Sequence, residues 1–133
     1  MSTPAPSQIK QDPKRIASAA LQAFFNLTQH WQLSVADERT LLGAPAESTF
    51  YKWKAEKSAP RLSRDALERI SYLLGIYKAL NILLPSPRAA DEWLHKPNSA
   101  PLFNGQSALQ RMLAGSIVDL ADVRRYLDAQ RGL

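Results

Sequence analysis

The sequence contains no cysteine. That excludes a disulfide scaffold, a Cys-ligated zinc or iron–sulfur site and a thiol nucleophile, and it suits a reducing compartment. Long apolar runs are missing too: stretches such as Tyr72–Ile76 and Ile82–Pro85 fall far short of the ~20 residues a membrane span needs. The N-terminus lacks the basic-then-apolar layout of a signal peptide. The expected setting is therefore the cytoplasm, away from membranes. The five glycines (Gly43, Gly75, Gly105, Gly115 and Gly132) stand singly, so no Gly-rich phosphate loop exists. Histidine occurs twice, as His30 and His95, near the ends of two different predicted helices, where it serves most simply as a cap charge. Asp91-Glu92 and the pair Asp119 and Asp122 fit solvated helix faces and caps better than acid/base pairs. No catalytic residue, metal ligand or cofactor is expected, and the chain is not expected to be an enzyme.

What is present is an ordinary globular composition, 45% hydrophobic and 22% charged over 133 residues. That length suits one domain, or two small modules sharing a core. The net charge is +5. Most of it sits in residues 1–85, where eleven Lys/Arg oppose seven Asp/Glu; residues 86–133 hold six and five. Between positions 52 and 64, Lys52, Lys54, Lys57, Arg61 and Arg64 face only Glu56, the local field a polyanion would feel.

Residues 1–12 are polar and aperiodic and read as a frayed tail. Asp12-Pro13 is a helix start, an Asx cap followed by proline at the first helical position. Ile16, Ala19, Ala20, Ala23, Phe24, Leu27 and Trp31 then keep helical spacing, which predicts a first helix over about 13–30. Ser34 caps a second through Leu42, ended by Gly43. Glu47 to about Lys57 is a third, stopped by Ser58-Ala59-Pro60. Ser63 starts a fourth, apolar on more than one face, up to the Pro85-Ser86-Pro87 break. A helix of that kind is either central or shared between chains. Ser86 caps a fifth to about His95. Lys96–Gly105 is a loop, Gln106–Ala114 a sixth helix, and Leu120 to Ala129 or Gln130 a seventh with Asp119 as cap. No alternating run of β-branched residues occurs, so the fold class is all-α.

The second and third helices, joined across Gly43, form a helix-turn-helix pattern in the string LLGAPAESTFYKW over residues 41–53. Phe50 and Trp53 would pin the third helix inward. Ser48, Thr49, Tyr51, Lys52 and Lys54 would face a major groove or its phosphates, with Lys57 and Arg61 extending the basic surface. A plain helical hairpin with a wet face gives the same pattern. Phe50 falls one residue late for the simplest spacing: either the turn is longer, or Thr49 is partly buried. The third helix carries no arginine, which favours phosphate or Ser/Thr contacts over guanine readout.

LSRDALERISYLLGIYKAL over residues 62–80 resembles the central helix of the MbcA/ParS/Xre antitoxins. The strings WLHKPN (93–98), PLFNG (101–105), SAL (107–109), MLAG (112–115) and VRRYLDAQRG (123–132) are similar to that family's toxin-binding domain. The ordered series is specific where no single string would be, and it covers about residues 13–133. The resemblance implies an N-terminal Cro/repressor-like DNA-binding part and a C-terminal part that neutralises a toxin. It implies as partner a RES-domain toxin that degrades NAD or modifies proteins with ADP-ribose, and as second partner the operator DNA of the chain's own promoter.

The expected organisation is a tail over 1–12, a helix-turn-helix domain over 13–62, a central dimerisation helix over 63–85 and a toxin-binding domain over 86–133. The apolar surplus of the fourth helix, at Leu73, Ile76, Tyr77, Leu80 and Leu83, serves as core or as the seam of a homodimer, and paired DNA half-sites suit a symmetric dimer. The last helix offers Arg124, Tyr126 and Gln130 toward a toxin, with Arg131, Gly132 and Leu133 as a short projecting end. A planar guanidinium there is suited to a pocket that holds phosphate or carboxylate. Two other readings compete with the antitoxin: a helix-turn-helix regulator without a toxin partner, and a protein-interaction module that no longer binds DNA.

Overall fold

The computed structural model describes residues 12–133, and among them are seven helices and no strand, as the all-α reading expects. The expected tail, apart from Asp12, lies outside the described residues. Helix α1 spans Pro13–His30. The Asp12 carboxylate accepts from the backbone N–H of Lys14 (3.2 Å) and Arg15 (3.5 Å), satisfying donors that the first turn leaves free. Phe24, Leu27 and Trp31 of the expected periodic set are buried, but the inward face of α1 is not the whole of that set. Ala17, Leu21, Phe24, Phe25 and Thr28 are buried, while Ile16 and Ala19 are exposed. Alanine-rich spacing fits two adjacent stripes of one helix, and the larger side chains decide which is the core.

Helix α2 spans Val35–Leu41 and α3 spans Glu47–Glu56. Between them Gly43 (φ +91°) and Ala44 (φ +56°) are both left-handed, so the turn is longer than the simplest one. Thr49 is partly buried as well, and Phe50 is fully buried against Phe25, with ring centroids 6.0 Å apart. Both explanations of the late Phe50 therefore hold together.

Helix α4, Arg64–Leu83, is the axis of the molecule; Ser63 caps it through the Ala66 N–H at 3.0 Å. It packs against α1, against α5 (Pro87–Trp93) and against α7 (Ile117–Gln130). Leu73, Ile76 and Leu80 are essentially inaccessible, and Tyr77 lies against Trp31 and His30. Of the core-or-seam candidates, Leu73, Ile76 and Leu80 are therefore core, while Tyr77 and Leu83 are half-buried; a helix flanked on three sides needs apolar residues on several faces.

The second half departs from expectation at its helix ends. Helix α6 is the five residues Ala108–Met112, and Ser107 rather than Gln106 opens it, with Gln110 closing a capping box. Helix α7 begins three residues earlier than expected. Ser116 is its cap, and Asp119 is the reciprocal member of the box, accepting from the Ser116 N–H at 3.1 Å. Helix α5 stops at Trp93, and His95 lies beyond it; its Nε2 donates to the Trp31 carbonyl at 2.7 Å and ties the end of α1 to the second half. The loop after α5 is held by one isolated bridge between Pro97 and Ser107 and by the buried Phe103, whose ring meets Trp93 and Tyr126 edge-on at 5.8 and 5.0 Å.

Candidate nucleic-acid face and partner-binding surface

On α3, Ser48, Tyr51 and Lys52 are exposed, and Lys57 and Arg61 stand exposed beyond its end. Thr49 sits half-buried at the edge of this face. Ala46, at the N-terminus, makes no side-chain cap hydrogen bond, in contrast to the other six helices, which are capped by Asp12 or by serines. The first N–H groups of α3 are therefore not claimed by a capping side chain.

Lys54 does not join the exposed set as a free charge. Its ammonium is ion-paired to Glu38, a carboxylate only 4% exposed, and lies 5.9 Å from the centre of the Phe25 ring. The other Glu38 oxygen accepts from Thr28 Oγ1 at 2.6 Å. Lys54 thus anchors α3 to α1 and α2, and the basic face is formed by Lys52, Lys57 and Arg61. Arg64 is exposed but paired with Glu68 at 2.9 Å. Glu38 was not legible as a partner because it lies on another helix.

Two further residues of the DNA half carried no sequence signal. Arg39 Nε donates to the Pro45 carbonyl at 2.6 Å and fixes the α2–α3 turn. Arg69, nearly buried, donates through Nε to Asp65 (2.8 Å) and through Nη2 to the carbonyl of Gly115 (3.0 Å). Gly43 closes over this pair: a Cβ there would lie 3.0 Å from Asp65 Oδ2 and 3.1 Å from Arg69 Nε. One guanidinium therefore touches the turn before α3, the helix α4 and the turn before α7.

The toxin-side candidates lie along α7 and after it. Arg124 Nε donates to both Asp128 oxygens (3.1 and 3.3 Å), and its guanidinium lies across Gly75, in the space a Cβ there would fill. Arg131 does not project. Its Nη1 is 3.8 Å from the same Asp128, and its side chain is only 20% exposed. The end is wound into a cap: the Leu133 N–H donates to the Asp128 carbonyl (3.0 Å), the Gly132 N–H to that of Ala129 (3.1 Å), and Gly132 is left-handed. Gly132, Leu133 and Gln130 are the exposed members of the set; Tyr126 is half-buried against Phe103. On α5, the Arg88 guanidinium hydrogen-bonded to Glu92 holds that carboxyl below its ordinary pKa. No group of three or more metal-ligating side chains that could hold a metal ion occurs among the described residues, and none of the described helices is long and apolar enough to cross a membrane.

These two surfaces coincide with two family matches. Residues 11–75 match the antitoxin Xre-like helix-turn-helix domain, and residues 79–132 match the antitoxin Xre/MbcA/ParS C-terminal toxin-binding domain. The chain is also 49% identical over 114 residues to the uncharacterized protein y4oB of Sinorhizobium fredii, an alignment covering 86% of this chain and 85% of that one. With a helix-turn-helix domain matched over residues 11–75, a toxin-binding domain matched over residues 79–132, and both in sequential order along one chain, this protein belongs to the Xre/MbcA/ParS antitoxin family.

Proposed function

We propose that this protein binds and inhibits a RES-domain toxin, one that degrades NAD or transfers ADP-ribose, and represses its own operon through α3. The observation that supports the DNA half most is the state of α3: an N-terminus without a side-chain cap, followed by exposed Ser48, Tyr51 and Lys52. Backbone N–H groups and a lysine suit phosphate, and the two hydroxyls suit base edges or sugar. Lys57 and Arg61 add phosphate contacts; Lys54 acts behind them by holding the helix. The RES identity of the toxin rests on the family resemblance of the strings over residues 93–132.

The repressor works as a homodimer in this reading. Leu73, Ile76 and Leu80 are buried in the core, so the seam uses other residues. The shallow uncharged face of Ala19, Ala20, Ala23, Leu67 and Leu74 between α1 and α4 is the surface available for a second copy.

Two measurements test the reading. Operator binding titrated against salt should give a linear fall of log affinity with log salt. Co-expression with a RES-domain toxin should yield a complex that survives purification and is inactive. Salt-independent or absent DNA binding removes the repressor half and leaves an interaction module. Absence of a complex removes the toxin half and leaves a regulator.

A further inference from the structure

The turn that presents α3 is not held by its own residues alone. Gly43 and Ala44 are left-handed in succession, at φ +91° and +56°. For alanine that conformation is disfavoured, and a residue keeps it only where the surroundings determine it. Three hydrogen bonds act inside the turn: the Gly43 N–H to Thr40 (3.0 Å), the Ala44 N–H to Arg39 (2.9 Å) and Arg39 Nε to the Pro45 carbonyl (2.6 Å). All three stay within residues 39–45, so none ties the turn to the rest of the molecule. Further along, α3 is fixed at Phe50 and Lys54, but its N-terminal end, where Ala46 offers no cap, depends on what lies beneath the turn.

Beneath Gly43 lies the Asp65–Arg69 pair. Its two members differ: the Asp65 side chain is 55% exposed and that of Arg69 only 10%. The buried member is also held from its far side, where Nη2 donates to the Gly115 carbonyl at 3.0 Å, in the turn before α7. A guanidinium is planar and rigid, so Nε cannot keep its place under Gly43 independently of Nη2 on Gly115. Among the described residues, two side-chain hydrogen bonds join the segments 11–75 and 79–132: His95 to Trp31 and Arg69 to Gly115. The second of these reaches the α2–α3 turn.

We infer that Arg69 is a positioning residue for α3, and that through it the placing of α3 depends on the Gly115 turn in the other half of the chain. This rests on the proposed reading of operator DNA by α3. Being buried, Arg69 touches no DNA itself. A turn with more than one arrangement binds with its intrinsic affinity reduced by the fraction that is competent. Loosening Arg69 lowers that fraction. The bound arrangement, and the number of phosphates it neutralises, stay the same.

The test uses the full chain in three variants: Arg69→Lys, Ser116→Ala and the two combined. Lysine keeps the charge beside Asp65 and lacks the planar second donor for Gly115. Ser116→Ala removes the hydroxyl that caps the first turn of α7, next to Gly115. Circular dichroism and thermal melting set a temperature at which every variant is folded. There Arg69→Lys should weaken operator binding by roughly tenfold, and Ser116→Ala by roughly threefold, with the slope of log affinity against log salt unchanged in both. The combined variant should bind no more weakly than Arg69→Lys, because the Gly115 turn acts through a bond already lost. A merely structural arginine would lower the melting temperature and leave the operator affinity of the folded protein as it was, and that outcome overturns the inference. A reduced salt slope overturns it too, by making Arg69 a phosphate contact, and so do additive losses, which separate the Gly115 turn from Arg69. If Arg69→Lys does not fold, Ser116→Ala, at an exposed position, decides by the same affinity measurement. Hydrogen exchange at the Gly43 and Ala44 amides reads the turn without DNA, and both should exchange faster in Arg69→Lys than in the wild type. If the wild type binds no operator, the operator reading is what fails, and unchanged exchange would then overturn the hold of Arg69 on the turn.

Discussion

Lys54 shows how a residue's meaning depends on what lies opposite it. By position it belongs to a basic cluster on the third helix; in space its charge balances Glu38, which is buried and also held by Thr28. Removing one member of a buried pair leaves the other desolvated and unpaired. Lys54→Ala should therefore destabilise the fold by about 1–3 kcal/mol, less than for a fully buried pair because Lys54 is open to solvent on one side. Adding Glu38→Gln should restore part of that stability. Denaturant titration of the single and double variants measures both. An unchanged midpoint for Lys54→Ala would show that Glu38 finds water instead. Gly43 makes a similar point about the backbone: its left-handed φ and the closeness of Asp65 and Arg69 both disfavour a side chain. Gly43→Ala should cost on the order of 1–3 kcal/mol in thermal unfolding. The glycine was legible as a helix stop, because a C′ position prefers it. Asp65 and Arg69 are an ordinary i,i+4 pair, but their place beneath Gly43 and the bond from Arg69 to Gly115 were not legible, because no local rule links residues so far apart in sequence.

At the scale of elements, the helices were legible wherever a cap and a periodic run agreed. Asp12-Pro13, Ser34, Ser63 and Ser86 each start a helix as read. The last two starts were misplaced because Ser107 and Ser116 compete with nearby Gln and Asp, and a capping box uses both residues reciprocally. The number of apolar faces on α4 was visible, but not what covers them. With Ile76 and Leu80 facing α4's own neighbours, Ile76→Glu with Leu80→Glu should abolish the folded far-UV signal rather than release monomers, since each buries an unpaired charge. A folded monomer from that variant would return the seam to these residues. For α3 the expected outcome concerns salt. Lys52→Ala with Arg61→Ala should lower the slope of log affinity against log salt by up to ~2, at ~0.9 for each phosphate no longer neutralised. Fold stability should hold, because both side chains are exposed. An unchanged slope would mean that neither touches phosphate.

Over the whole molecule, the order of functions along the chain was legible from the strings over residues 62–132, and the way the two halves are joined was not. The end of α7 illustrates the difference. Read as sequence, Arg131–Leu133 projects; folded, it closes a cap and draws Arg131 toward Asp128. Deleting these three residues should still relieve toxin inhibition, and should now also lower the melting temperature by a few degrees, roughly the effect of a helix cap worth ~1 kcal/mol. Arg131→Ala should weaken inhibition by at most about 1.5–3 kcal/mol, because a toxin must first draw the guanidinium away from Asp128. An enzyme assay with the truncated protein decides: full inhibition would mean that the body of the domain blocks the toxin.

The boundary between the two matched segments falls inside α4, between residues 75 and 79. Arg69, on the first side of that boundary, donates to Gly115 on the second, and Arg124, on the second, lies over Gly75 on the first. The consequence is for recombination among relatives. A new pairing of operator and toxin cannot be made by crossing two genes at the point where their two domains meet, because the crossover would splice one continuous helix and separate each arginine from the glycine it was fitted to. A chimera that folds must inherit all of Arg64–Leu83 from one parent, together with the turn around Gly115 and α7 through Arg124, which rest on it. If α3 reads the operator as proposed, grafting its exposed face alone should exchange operator choice and leave this shared helix untouched.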